Sequence, residues 1–137
     1  MINFVDVYSH DGDGVRFLYE LLAQRDPITN ISHRGMPTFE QHQRFVQSKP
    51  YKHWYIVTLS DGECVGSVYL SKENEIGIFI AKDHQRKGYG RHAVQWIMES
   101  HPQERFFANI NPENQASIAA FRAMGFRALQ LTLVKDN

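Results

Sequence analysis

The chain has 137 residues, of which 42% are hydrophobic, so we expect one domain with its own core. Lys plus Arg and Asp plus Glu both number 15, and this zero net charge argues against broad nucleic-acid binding. The single cysteine, Cys64, excludes an internal disulfide and a cysteine metal cluster, and no apolar run is long enough to span a membrane. Because residues 1–8 do not resemble an export signal, we expect a cytoplasmic protein. We also expect no metal site.

Hydrophobic periodicity and turn residues divide the chain into predicted strands and helices. Thr38 and Gln41 have the spacing of a capping box, and Gly125 is placed to end the last helix. In chain order the predicted elements are a strand over Ile2–Tyr8, helices over Val15–Arg25 and about 38–48, strands over Tyr55–Leu59, Cys64–Leu70 and Glu75–Ile80, a helix over Gly88–Ser100, a strand over Arg105–Ile110, a helix over Gln115–Met124 and a strand over Leu129–Val134. This β-α-α-β-β-β-α-β-α-β order predicts an α/β fold, with a single mixed β-sheet flanked by helices.

A turn with two glycines joins the third predicted strand of the central meander to the next helix. Its sequence is Gln85-Arg86-Lys87-Gly88-Tyr89-Gly90, followed by Arg91. Glycines let the backbone approach a ligand closely, and the free amides of a first helical turn attract anions such as pyrophosphate. The third glycine of a dinucleotide fingerprint is absent, because Ala93 stands at that position, and no P-loop pattern is present.

This Q-x-x-G-x-G turn after an I-F-I strand resembles the acetyl-CoA motif of the GCN5-related N-acetyltransferases. A second signature of that family is present as Asn114, Ser117, Phe121, Gly125 and Phe126. The resemblance covers nearly the whole chain and implies acetyl-CoA as the cofactor. It implies that the pantetheine lies along Ile78, Phe79 and Ile80, that the pyrophosphate lies on the turn, and that Asn114, Ser117 and Phe121 face the cofactor channel. The cofactor residues of the turn are then Gln85, Arg86, Lys87, Gly88, Tyr89, Gly90 and Arg91.

Direct acetyl transfer needs a group that takes the proton of the amine and a group that protonates the leaving sulfur. Many family members supply the second proton from a tyrosine where this chain has Phe121, and some carry a glutamate base where it has Asn109. Tyr55, Tyr69 and Tyr89 are unranked alternative donors. Glu75 is the candidate catalytic base, because period 2 places it on one strand face with Gly77 and Phe79. We expect Gly77 to leave room there for a substrate or a water; the alternative for Glu75 is an exposed carboxylate at a strand end.

The acceptor half of the site is less defined than the cofactor half. The helix T-F-E-Q-H-Q-R-F and the strands after it resemble a subgroup that acetylates amino groups of nucleotide-linked amino sugars. His33, His53 and Tyr55 are the candidate acceptor residues, Trp54 could stack on a ring of the acceptor, and His42 could also reach a cleft. The leading hypothesis is an N-acetyltransferase acting on a small-molecule amine, most plausibly an amino sugar. A protein or peptide N-acetyltransferase and a non-catalytic CoA-binding sensor or subunit are the alternatives. We expect neither nucleic acid nor a membrane as a partner, and a homodimer stays open.

Overall fold

The computed structural model describes residues 1–9, 13–25 and 36–137. Its elements are β1 (Ile2–Asp6), α1 (Asp13–Ala23), α2 (Phe39–Gln47), β2 (His53–Leu59), β3 (Cys64–Leu70), β4 (Ile76–Ile80), α3 (Tyr89–Ser100) and α4 (Gln115–Ala123), with short 3-10 turns at Val7–Ser9 and Lys82–His84. No helix in the described part of the chain is long and apolar enough to cross a membrane.

Four strands form one antiparallel sheet in the order β1-β2-β3-β4. Each of its two faces is covered by helices. On one face Leu18 of α1 and Val46 of α2 pack against Trp54 and Ile56 of β2. On the other face α3 and α4 pack on the sheet, and Val94, Ile97 and Phe121 join strand residues in the larger core cluster. The predicted α/β fold with a sheet flanked by helices is confirmed.

Local capping chemistry explains where two of these helices begin and end. The predicted capping box is present: the backbone N–H of Gln41 donates to Thr38 Oγ1 at 3.1 Å, and the backbone N–H of Thr38 donates to Gln41 Oε1 at 2.8 Å. At the end of α4, Gly125 has φ +98°. The N–H of Phe126 donates to the carbonyl of Phe121, which closes a Schellman motif.

The two strands predicted after α3 differ from the structure. Arg105–Ile110 contacts the sheet through one parallel bridge, between Phe107 and Glu75, and so the mixed character of the sheet rests on that bridge. Leu129–Val134 is not a strand, and Leu131 and Leu133 are 77% and 84% exposed. The alternation of leucines there is real, but a strand also needs a neighbour for its backbone groups. In the described chain, residues 129–134 have no partner strand.

Candidate active site

β4 is an edge strand over most of its length, because the segment on its outer side diverges. The N–H of Ile76 donates to the carbonyl of Phe107 at 2.7 Å, and the N–H of Phe107 donates to the carbonyl of Asn74 at 2.9 Å. Backbone groups alternate in direction along a strand, so the amides of Ile78 and Ile80 point to the same side as that of Ile76. In the described sheet order β4 has no neighbour on that side. The gap is therefore lined by backbone groups suited to an extended ligand.

The turn after β4 presents the N-terminus of α3 at the end of this gap. Gly88 is the N-cap of α3 with φ +85°, and Arg86 is also left-handed at φ +65°. A non-glycine residue in this conformation costs energy, so its occurrence marks a constrained turn. The first turn of α3 carries no acidic residue, and Arg86, Lys87 and Arg91 are exposed. Free amides, the helix dipole and these cations together are the features of a candidate anion site.

Gln85 and Gly90 connect the turn to β4. The side-chain amide of Gln85 donates to the carbonyl of Ile80 at 2.8 Å, which holds the turn against the strand end. A Cβ on Gly90 would lie 3.6 Å from Ile80 Cγ1 and 3.8 Å from Ile78 Cγ1. The missing side chain at position 90 therefore keeps the surface over β4 clear beside the anion site.

The α4 residues of the second signature have structural contacts of their own. The side-chain Oδ1 of Asn114 accepts from the backbone N–H of Ser117 at 3.2 Å and caps α4. Phe121 is 5% exposed, and its ring meets Phe126 edge-to-face at 5.0 Å between centroids. Phe121 has no hydroxyl proton to donate. Its phenyl ring packs in the core and contacts Phe126 at the end of α4.

A cavity of about 480 Å³ lies on the opposite face of the sheet, between it and the α1 and α2 helices. We call it the aromatic cavity, because five rings line it: Phe45, Tyr51, Trp54, Tyr69 and Phe79. Its wall includes Gly77, Ile78 and Phe79 of β4. The same strand therefore borders the cavity on one side and the open gap on the other.

Tyr69 lies at the point where the cavity meets β4. A Cβ on Gly77 would be 2.1 Å from two ring carbons of Tyr69, so only glycine allows the ring to lie there. The room expected over Gly77 for a substrate or a water is thus filled by this ring. Tyr51 stacks on Tyr69 at 3.7 Å between centroids. Burial is the main cause that raises the pKa of Tyr69, so its hydroxyl stays protonated. Because its ring also contacts β4, Tyr69 is a candidate proton donor.

His42 is a buried polar residue of the cavity wall. It is 6% exposed, and its Nε2 has no hydrogen-bond partner among the described residues. Burial lowers the pKa of His42, so the imidazole is neutral near pH 7. A buried ring nitrogen without a partner costs stability unless a ligand supplies one.

The sequence-predicted acceptor residues do not gather in this cavity. His53 and Tyr55 lie on the other face of β2, where His53 stacks on His101 at 3.6 Å and the Tyr55 hydroxyl is 2.7 Å from His101 Nε2. His33 lies outside the described residues. Arg25, Tyr51 and Trp54 line the cavity instead. Of these, Arg25 and Tyr51 were not predicted, because an isolated arginine and tyrosine carry no motif.

Glu75 is held where β4 and the segment at 105–110 separate. The side-chain amide of Asn109 donates to Glu75 Oε2 at 2.5 Å, and Ser71 Oγ lies 3.4 Å from Glu75 Oε1. Glu75 is not part of the cavity wall, but its charge contributes to the raised pKa of Tyr69. The carboxylate of Glu75 therefore lies against the side-chain amide of Asn109.

An open strand edge, an anion site at a helix N-terminus and a cavity on the same strand form the arrangement expected for a thioester cofactor and an acceptor. A family model described as the acetyltransferase (GNAT) family matches residues 15–126. The chain belongs to the acetyltransferase (GNAT) family. As a GNAT acetyltransferase it uses acetyl-CoA as its cofactor and transfers the acetyl group to an amine.

Solved structures share this GNAT fold at low sequence identity. A domain from Methanocaldococcus jannaschii is 22% identical, with a TM-score of 0.78 over 95% of this chain and 90% of the other. Spermidine N-acetyltransferase from Vibrio cholerae, in complex with CoA and spermine, is 16% identical with a TM-score of 0.77 over 90% and 79% of the two chains. AAC(6')-Iy, in complex with a bisubstrate analog, is 16% identical with a TM-score of 0.72 over 100% and 98%. The chain has no significant sequence match among curated proteins.

Proposed function

We propose that this GNAT protein acetylates the primary amine of a small molecule. One observation carries the proposal: the aromatic cavity and the open gap meet at Gly77, Ile78 and Phe79 of β4. An acceptor in the cavity and a thioester along the strand edge would then be adjacent across a single strand. Positioning two reactants in this way supplies much of the rate enhancement of an acyl transfer.

The reaction forms one bond and breaks one. The neutral amine nitrogen attacks the thioester carbonyl carbon, the C–N bond forms, the C–S bond breaks, and the amine loses a proton while the thiolate gains one. We propose Glu75 as the base and the Tyr69 hydroxyl as the donor to sulfur. The supporting observations are the raised pKa of Tyr69, caused first by burial, and the nearby charge of Glu75.

The cofactor residues proposed here are those of the strand and turn signatures. Ile78, Phe79 and Ile80 would flank the pantetheine, and the amides of 86–91 would bind the pyrophosphate. Gln85 would act by holding the turn, as its bond to Ile80 indicates. An amino sugar, free or nucleotide-linked, is one acceptor of the proposed class, and its support is the sequence resemblance of the α2–β3 region.

The test is thiol release from acetyl-CoA by the purified protein with a panel of primary amines, with product masses measured. We expect one class of small amine to gain 42 Da and to release CoA in equal amount, since acetylation replaces one hydrogen by an acetyl group. Gly90→Ala, which is altered at the candidate anion site, should need a higher acetyl-CoA concentration to reach the same rate. Tight CoA binding with no turnover on any amine would instead identify a non-catalytic sensor, and turnover on peptides alone would identify a peptide acetyltransferase.

A further inference from the structure

The hydroxyl of Tyr8 bonds to both backbone groups of Tyr51. It donates to the carbonyl of Tyr51 at 2.8 Å and accepts from the N–H of the same residue at 3.0 Å. Tyr8 lies in the 3-10 turn after β1, and Tyr51 lies two positions before β2. Because one side chain satisfies the donor and the acceptor of this residue, Tyr51 enters the aromatic cavity from a fixed point of the backbone.

The ring of Tyr51 contacts three other rings of the cavity. It meets Trp54 and Phe45 edge-to-face, at 4.8 and 5.9 Å between centroids. It lies parallel to the ring of Tyr69, at 3.7 Å between centroids and 3° between the planes. Each of these contacts favours one orientation of the two rings. Tyr51 therefore covers Tyr69 with a ring that is itself oriented by its neighbours.

The hydroxyl of Tyr69 lies directly over β4. Tyr69 pairs with Gly77 across β3 and β4. A Cβ on Gly77 would be 2.5 Å from the Tyr69 hydroxyl oxygen, so this oxygen occupies the space that a side chain would fill. A tilt of the Tyr69 ring would move the oxygen away from this point of the strand. The stack with Tyr51 opposes such a tilt, because the parallel rings would lose contact.

The surroundings of the stacked pair have opposite effects on the acidity of Tyr69. Burial first, and then the charge of Glu75, raise the pKa of Tyr69, whereas the hydroxyl of Tyr51 and the charge of Arg25 lower it. Burial first, and then the interactions with Tyr69, raise the pKa of Tyr51. These opposite effects of one contact are those of a donor, Tyr51, and an acceptor, Tyr69, whose ionised form is stabilised. The titratable and charged side chains that the described elements place around the pair are Arg25 after α1, His42 of α2, Tyr8 of the turn after β1 and Glu75 before β4.

We infer that Tyr51 is a positioning residue of the acyl transfer: its ring keeps the Tyr69 hydroxyl over β4, and its own hydroxyl donates to the Tyr69 oxygen. This inference rests on the proposed function, in which Tyr69 protonates the leaving sulfur. In that step the O–H bond of Tyr69 breaks, the S–H bond of CoA forms, and the electron pair stays on the Tyr69 oxygen. Water returns a proton to this phenolate after CoA leaves, and Glu75 releases to water the proton that it took from the amine.

The acidity of a phenol explains why this second hydroxyl matters. A phenol is a weaker acid than a thiol, with ordinary pKa values of about 10 and about 8.5. Burial of Tyr69 widens the difference, and a hydrogen bond to its phenolate narrows it. Proton transfer is more efficient when the donor is not much weaker than the acid that it forms. The Tyr51 hydroxyl therefore acts on the rate through Tyr69.

A titration tests the contact without an acceptor. Tyr51→Phe keeps the ring and its three ring contacts and removes only the hydroxyl. Ultraviolet absorbance is measured against pH for the parental protein, Tyr51→Phe, Tyr69→Phe and the double variant, and subtraction isolates the ionisation of Tyr69 in each background. We expect Tyr69 to ionise at a higher pH when Tyr51 is Phe. An unchanged or lower value would overturn the inference.

A double-mutant cycle on turnover tests the role in the reaction. Thiol release at saturating acetyl-CoA is measured with spermidine, neamine, 2-phenylethylamine and a UDP-linked amino sugar, and the amine with the highest rate is used for the four proteins. We expect Tyr51→Phe to lower kcat about 10- to 100-fold with an unchanged KM for acetyl-CoA, as the loss of a hydrogen bond to a charged oxygen predicts. In the Tyr69→Phe background it should have no further effect, because Tyr51 acts through Tyr69.

The other outcomes of the cycle separate this inference from the proposed function. A parental kcat in Tyr51→Phe, or an equal loss in both backgrounds, would overturn the inference, while a lowered kcat in Tyr69→Phe retains the proposed donor. A higher KM for the amine with a parental kcat would also overturn it, because Tyr51 would then bind the acceptor instead. A parental kcat in Tyr69→Phe would reject the proposed donor and the inference together. Absence of turnover on every amine, with CoA bound, would reject the proposed function itself, and the titration would still test the contact.

Discussion

Replacement of Gly90 by alanine separates the stability of the turn after β4 from its binding of CoA. Gly90 is the second residue of α3, and a methyl group there would meet Ile80 and Ile78 at 3.6 and 3.8 Å, which are ordinary contacts. Glycine-to-alanine changes at such helical positions stabilise by about 0.4–1 kcal/mol, mainly because the unfolded chain loses freedom. We therefore expect Gly90→Ala to unfold at an equal or higher urea concentration than the parent protein.

The affinity of Gly90→Ala for CoA should fall, although its stability should be equal or higher. The new methyl group would occupy the surface over β4 beside the proposed pyrophosphate position. Loss or lengthening of one charge-assisted amide contact costs about 1.5–3 kcal/mol, which corresponds to a Kd for CoA that rises about 10- to 100-fold. Isothermal titration calorimetry with CoA and urea unfolding on the same sample give the two quantities.

Two glycine variants serve as matched controls. Gly88 and Gly125 have φ of +85° and +98°, and a Cβ on either would meet nothing within 4 Å. Alanine at each should therefore cost a similar ~1–2 kcal/mol of backbone strain. Only Gly88→Ala, at the anion site, should also weaken CoA binding. A parental Kd for Gly90→Ala, or an equal loss in Gly125→Ala, would refute the assignment of the turn.

Three further predictions concern proton transfer and charge. Tyr69→Phe keeps the ring over β4 and should lower kcat with an unchanged KM for acetyl-CoA; an unchanged kcat would remove Tyr69 as the proton donor. Glu75→Gln should lower kcat by about 100-fold, as expected for a general base; an unchanged kcat would show that Glu75 is not the base. Burial is the first cause that lowers the pKa values of His42, His53 and His101, so the unfolded chain binds protons first and the free energy of unfolding should fall as the pH drops below 6.5. Urea unfolding between pH 7.5 and 5 checks this, and a flat profile would contradict the lowered values.

The turn that is proposed to bind the cofactor was predictable as a structure, because its residues are close together in sequence. The spacing of Gly88 and Gly90 before a helix predicts the turn, because an anion-binding turn is built from consecutive backbone groups. The acceptor half depends on residues from separate elements. His53 and Tyr55 alternate with Trp54 on β2, and the neighbouring helices, not the strand itself, determine which face encloses a cavity.

The pairing of Glu75 with Asn109 illustrates the same limit. From the sequence alone, Asn109 stands at a position where the resemblance implies a glutamate in some members, and Glu75 is a residue at the end of a strand. The parallel bridge between Glu75 and Phe107 brings position 109 next to position 75, and their side chains form a hydrogen bond. No local pattern encodes a contact between residues that are 34 positions apart.

The sequence by itself determined the order of elements through α3, the presence of α4, the capping of α2 and α4, and the glycine turn after β4, because short-range hydrogen bonds and periodicity govern all of these. Only the tertiary structure decided that Tyr69 covers Gly77 and that Arg25 joins the aromatic cavity. It also decided that Leu129–Val134 is not a strand. These outcomes depend on which neighbour is present across the sheet or the cavity, and residue alternation along one segment carries no information about that neighbour.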